Sequence, residues 1–361
     1  MALILLALSA LLVVPILNLA STSLNYHRVI ERNTLEAYSA DSGIEYALCQ
    51  LGNDPEGYQE GPLDETLTIN DMVVDVTAQY LGGGIYKVTS VATTESGSTS
   101  IESHVFIGSA LFKYAIASLD GNLSITGNAL VTSSPDSGEG NVYANGSIDL
   151  TGNVRVEGDA TATGEISVGG NSTITGETKE GAQPLDLPQV DISEYLDEAN
   201  EGELIVGDLR ISGNGYYDLG PAHITGDLKI SGNRTVTLRG TVYVEGKIKM
   251  SGNTRIEGPG TVVSEGNIEV TGNSKLEPED IPTIISVSGS IQVTGNNWTS
   301  AILYAPNGEV AMSGNSKIYG SIVAGSVSVV GNSKVDYPVD VVERTDLPGG
   351  AGLNVVSYQV G

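Results

Sequence analysis

The pattern Gly-x-h-x-h-x-Gly-Asn, with h an aliphatic residue, recurs ten times between Leu119 and Lys334. Its Asn falls at Asn128, Asn153, Asn171, Asn214, Asn233, Asn253, Asn273, Asn296, Asn315 and Asn332. In every copy a Gly lies seven residues earlier and another Gly immediately before. Strict alternation turns one side chain inward and the next outward. Gly admits the positive φ that tight corners need, and Asn tolerates the same region. Stacked Asn amides can also bond to one another from layer to layer. A period near 20 residues with these features predicts an all-β solenoid of about ten rungs over 119–335. At roughly 4.8 Å per rung it would stand about 45–50 Å tall. Each rung touches only its neighbours, so the ends need caps. Further apolar residues such as Val242, Val244, Val262 and Val263 supply a second wall.

One spacing breaks the period, the 43 residues from Asn171 to Asn214. The excess, 177–203, carries nine acids and one Lys and a short helical stretch from Asp191 to Ala199. It is expected to project as a loop, the place where function concentrates. Its acids lack the spacing of a calcium loop. The last residues, 336–361, are expected to form a tail or cap ending in a strand from Asn354.

The other constraint is the start of the chain. Met1 to Ala20 carries no charged side chain, about the length that spans a bilayer core. Residues 21–51 continue as an amphipathic helix with Ala37, Ala40, Ile44, Ala47, Leu48 and Leu51 on one face. One helix of this length runs roughly 75 Å. Cys49, beside the apolar stripe, is expected as a small core residue. Pro15 is expected to kink or loosen the helix. A secretory signal would need a basic segment before the apolar run, yet the first cationic side chain is Arg28. A plain membrane anchor and a processed filament-forming arm, with its leader cut off before Met1, remain. After Leu51, residues 52–118 read as a small antiparallel meander with strands at Met72–Tyr80, Ile85–Ala92 and Thr99–Ile107.

The run from Ala37 to Leu48, AYSADSGIEYAL, resembles the end of the N-terminal helix in PilX-like type IV pilus assembly proteins. The resemblance covers about the first fifty residues. It implies an α+β module in which the helix 1–51 carries the meander. The apolar arm would build a filament core through Met1, Leu3, Ile4, Leu5, Leu8, Leu12, Pro15, Ile16 and Leu19. Leu5 departs from the family, which usually places a Glu there to pair with a neighbour's N-terminal amine; here no acid precedes Glu31. The solenoid is similar in style to bactofilin-like β-helices, and with Phe112 to Ile116 leading in, to β-helical domains attached to PilX-like proteins. The resemblance implies a structural subunit of an extracellular pilus-like filament. Its partners would be copies of itself and, before assembly, the pilus machinery and the inner membrane. Alternatives are a minor or tip subunit displaying an adhesive β-helix that meets surface glycans, and a membrane-anchored β-helix that binds or cleaves carbohydrate.

Composition narrows the chemistry. A net charge of −27 argues against a nucleic-acid partner and fits a solvated outer surface. One cysteine excludes an internal disulfide. His27, His104 and His223 are scattered without metal-ligand spacing, and no nucleophile motif stands out. No enzyme activity and no cofactor are expected. Arg210, Lys229, Lys247 and Lys249, near Asp208, Asp227 and Glu245, read as cross-rung ion pairs. Sequons at Asn122, Asn145, Asn171, Asn233 and Asn297 mark candidate glycosylation sites.

Overall fold

The computed structural model describes residues 2–54, 57–82, 84–95, 97–108, 111–185, 192–272, 281–344, 346–348 and 352–360, of which 2–18, 59–60 and 352–355 are described as backbone alone. The chain divides into two compact units, residues 1–108 with 352–361, and residues 109–351.

In the first unit α1 (Ala2–Asn53) is a single helix of 52 residues, continuous through Pro15. Ala40, Ile44, Ala47 and Leu51, spaced at three and four residues, are buried against Val74, Val76, Val88, Ile101 and Val105. That spacing keeps one stripe of the helix on the sheet. Gly43 lets the two approach closely, since a Cβ there would lie 2.2 Å from the Ser90 Oγ. Glu36, also buried, accepts a hydrogen bond from Thr94 at 2.7 Å and pairs with Arg32 at 3.5 Å. Cys49 is exposed rather than part of this core. It sits about 200° around the helix from Ala47, on the far side of the stripe.

The sheet is antiparallel. β1 (Leu63–Ile69), β2 (Met72–Gly82), β3 (Ile85–Thr94) and β4 (Gly97–Gly108) form a meander. Asn70 and Asp71, both at positive φ, make the two-residue hairpin between β1 and β2. The final strand, Gly352–Val360, pairs antiparallel with β4. The expected 336–361 tail is thus two different things: its last strand completes this sheet, and its beginning belongs to the second unit.

The second unit is a parallel β-solenoid of about nine turns. A representative turn has three walls, Val242–Val244, Ile248–Gly252 and Arg255–Glu257. Inward residues such as Ile248, Met250 and Ile256 are buried in one continuous core.

The rungs do not stack in chain order. Among the described residues, eight of the ten ladder Asn N–H groups bond to the Gly carbonyl one rung below, and these bonds trace the stack. They run from Gly213 through Asn233, Asn253, then from Gly272 through Asn296, Asn315 and Asn332. The next bond, Asn128 N–H to Gly331, joins the last rung of the chain to the first, and the stack continues through Asn153 to Asn171. Wall pairings agree: Ile322–Gly331 lies parallel to both Ile116–Ser118 and Leu123–Gly127. The chain therefore enters inside the stack, builds to one end near Gly170, crosses to the opposite end at Glu203, and fills in towards its own starting rung.

The crossing is made by 177–203, which corrects the expectation of a projecting loop. Thr178 and Lys179 pair with Ala160 and Thr161 as a partial further rung. Ala182 N–H then bonds to the Ala162 carbonyl, and Leu185 N–H to Asn145. Beyond residues 186–191, outside the described set, α2 (Ile192–Asn200) buries Ala199 and packs Tyr195 and Leu196 on the solenoid core. Glu198 accepts from Thr241, and Asn200 meets His223. The described parts of this strap, 177–185 and 192–203, lie along the outside of the first wall. Val339–Glu343 and Leu347 add to the same cover, with Arg344 donating to the Ile281 carbonyl at 2.7 Å.

Candidate functional site

Two features present chemistry to a partner: the free part of α1 and the corner ladders of the solenoid. Residues 19–31 and 33–35 of α1 are all exposed. Among them are Leu19, Leu24, Val29, Ile30 and Leu35, with Leu19 73 % and Leu24 61 % accessible. Only from Glu36 onward does the helix meet its sheet. Of the expected core-forming residues, Met1 lies outside the described residues, as do the side chains of Leu3, Ile4, Leu5, Leu8, Leu12, Pro15 and Ile16. Leu19 is on the exposed segment. Among the described residues no helix is long and apolar enough to cross a membrane. A helix with this much uncovered aliphatic surface gains from packing against another apolar body, roughly 1.5–3 kcal/mol for each Leu, Ile or Val fully buried.

At the corners, all ten Gly residues that precede the ladder Asn have positive φ, between 72° and 120°. Side-chain bonds link Asn253 to Asn233 at 2.8 Å, Asn315 to Asn296 at 2.8 Å, Asn332 to Asn315 at 3.1 Å and Asn128 to Asn332 at 3.0 Å. Asn273 is outside the described residues. Asn315 makes a bond in each direction. Asn315→Ala is expected to cost about 1–2 kcal/mol in denaturant unfolding. Asn171→Ala, at the end of the stack, should cost under about 0.5 kcal/mol.

Sequence reasoning missed a second ladder, in which the residue after the leading Gly accepts the backbone N–H one rung further on. Asp208 accepts from Asp227 N–H at 3.0 Å, Asp227 from Lys247 at 2.9 Å, and Asn267 from Ser290 at 3.0 Å. Asn122 accepts from Ser147 in the same way. Asn141 and Asp159 repeat the device at a further corner, accepting from Asp159 and Glu177. The signal was available, since a short acceptor recurs after Gly at these positions.

The outer face of the first wall carries tyrosines. Tyr143, Tyr243 and Tyr304 are at most 1 % exposed. Strand alternation would leave them outside, and the strap and the 339–347 segment explain their burial. Burial pushes the hydroxyls of Tyr114 and Tyr195 up to about 12, helped by neighbouring Tyr143 and Glu194 respectively. Tyr243, buried and bonded to Glu265, and Tyr304, buried, are raised as well. A raised tyrosine pKa means the folded state favours the neutral phenol. The stability it contributes is complete below the unfolded value of 10.0 and lost as pH climbs through about 12. An alkaline titration followed by tyrosinate absorbance and circular dichroism should therefore show cooperative loss of structure in that window. Independent titration of each phenol near pH 10, with the fold intact, would contradict this packing.

The sequons separate. Asn297 is 1 % exposed and its amide donates to the Thr294 carbonyl at 2.8 Å. The Asn145 amide donates to the carbonyls of Leu119 and Leu185. Both amide nitrogens are therefore engaged by backbone carbonyls in the folded chain. Asn122, Asn171 and Asn233 are exposed. Among the described residues no group of three or more His, Cys, Asp or Glu is arranged to hold a metal ion.

Fold and corner chemistry define a β-solenoid protein with a long helical extension on a separate small sheet. A family described only as a domain of unknown function, DUF7305, matches residues 170–341, rungs from Gly170 to Val341. No curated protein matches the chain. Among solved structures, the competence-associated pilin ComZ from Thermus thermophilus is 12 % identical, over 91 % of this chain and 97 % of that chain. The TM-score is 0.34, too loose a superposition to assign fold or function.

Proposed function

We propose that the chain is a structural subunit of a pilus-like extracellular filament, with α1 arms packed in the core and the solenoid on the outer surface. The observation that carries this reading is a 52-residue helix whose residues 19–31 and 33–35 are exposed and leave aliphatic side chains in the open. Such a surface needs company, and identical arms offer it. Before assembly the apolar run 1–20 would sit in the inner membrane, handled by the pilus machinery. The solenoid suits the outside: acid-rich, with a net charge of −27 for the whole chain, it stays solvated and resists unspecific clumping. No catalytic role is assigned to it.

The lack of any acid before Glu31 favours a minor or tip position, since the usual charge pairing between arms is unavailable to this chain. Electron micrographs of fibres shed from the cell surface, with their proteins identified, test both readings. A major subunit forms the bulk of the fibre; a tip subunit is a trace component at fibre ends. Recovery only in membranes, apart from any fibre, would overturn the proposal.

A further inference from the structure

The outer face of the second wall carries an unusual run of charge. Four of the chain's 17 Lys and Arg, namely Arg210, Lys229, Lys247 and Lys249, lie on three consecutive rungs. Register places Arg210 directly beside Lys229, and Lys229 directly beside Lys249. All four side chains are exposed. Like charges directly opposite in a ladder destabilise a sheet, so this row is a standing cost in a chain otherwise dominated by acids.

The carboxylates nearby relieve only part of it. Lys249 pairs with Glu269 at 2.5 Å, and Arg210 stands 3.6 Å from Asp208. One carboxylate oxygen each of Asp208 and Asp227 is already engaged by a backbone N–H of the corner ladder. Among the described residues, Lys229 and Lys247 have no carboxylate within salt-bridge distance, contrary to the cross-rung pairing expected of them. The row lines a cleft of about 230 Å³. Asn267 adds an amide to it, and no aromatic ring lines it.

We propose that this cleft binds an acidic glycan, a linear polymer bearing a carboxylate on each sugar. The geometry favours a chain over a protein face. Arg210, Lys229 and Lys249 stand in one line along the stack, spaced by the inter-strand distance of roughly 4.8 Å, with Lys247 two residues aside on the third rung, and the cleft is too small for a folded surface. A linear polyanion lying along the stack neutralises the row one rung at a time. The Asn267 amide and the remaining carboxylate oxygens meet sugar hydroxyls. With no aromatic platform for stacking, recognition rests on charge, so a neutral polymer has little to hold it. This inference does not depend on the filament reading, because it concerns the solenoid surface alone.

The test uses the full chain in detergent and polygalacturonate as the probe, with its fully methyl-esterified form and dextran as uncharged comparisons. Binding is expected to polygalacturonate alone and to weaken with added salt. The Lys229→Glu/Lys247→Glu variant should bind roughly tenfold more weakly or worse. A charge-matched control, Lys179→Glu/Lys317→Glu, should bind as the parent does. Lys229→Gln/Lys247→Gln, which adds no repulsion, should show an intermediate loss, with circular dichroism confirming the fold of each variant. Absence of binding by the parent, or equal losses in the test and control variants, would overturn the proposal. So would a change in self-association of the Lys229→Glu/Lys247→Glu variant without any change in glycan binding, which would make the row a contact between copies.

Discussion

Deleting residues 1–25 is expected to turn a self-associating chain into a soluble, folded monomer. The deletion takes the uncharged run and Leu24 but leaves the packed stripe of Ala40, Ile44, Ala47 and Leu51 with its sheet. Both compact units keep their cores, since among the described residues no buried hydrophobic residue of either lies before Ala40. Burying even four or five large aliphatic side chains per arm represents on the order of 5–15 kcal/mol of gross transfer free energy. Removing that term should shift association by several orders of magnitude even after the entropic cost of assembly. Sedimentation of the full and truncated chains in matched detergent and buffer reads the difference. A truncated chain that still formed fibres would place the driving contacts elsewhere.

A large effect of a single substitution is expected at Gly252. Its φ is +94°, where a side chain other than Gly costs roughly 1–2 kcal/mol. A Cβ there would also stand 2.6 Å from the Gly232 carbonyl oxygen. That oxygen cannot retreat freely, because it accepts the Asn253 N–H at 2.8 Å. Gly252→Val should therefore cost about 3–5 kcal/mol and lower the melting midpoint by roughly 10 °C. Gly207 provides the comparison. It has a similar φ of +90°, yet nothing lies within 4 Å of an added Cβ. Gly207→Val isolates the conformational part, and the difference between the two variants measures the inter-rung clash. Equal melting temperatures for both would contradict the stacked-corner geometry.

The solenoid was legible because its unit states its own local geometry. Alternating aliphatics give a strand with one buried face, and Gly followed by Asn gives the corner. The order of the rungs was not legible for the same reason. Every rung presents nearly the same edge, so nothing in Gly121–Asn128 says that its lower neighbour is Gly325–Asn332. That pairing goes with the two sides of the strap lying at opposite ends of the stack, Thr178 at one and Glu203 at the other. A trace of the strap did exist. Runs such as Val242-Tyr243-Val244 and Thr283–Ser286 are buried on both faces, and uninterrupted apolar runs imply cover on both sides. Which segment provides it depends on contacts of Leu185, Tyr195 and Leu196 that are remote in sequence from the wall. The exposure of Cys49 was legible from helical phase alone, because Ala47 and Leu51 already fix the buried face. Asn297 shows the reverse case, where a surface motif by sequence is placed inside a corner by the rung that carries it.

The most direct measurement of the central claim is a reconstruction by electron cryomicroscopy of fibres containing the full chain. The account predicts rods of helical density at the fibre axis, residues 19–35 of each copy packed against those of others, with solenoids around them. An axis built from solenoids, or arms lying singly in lipid with no second arm beside them, would contradict it.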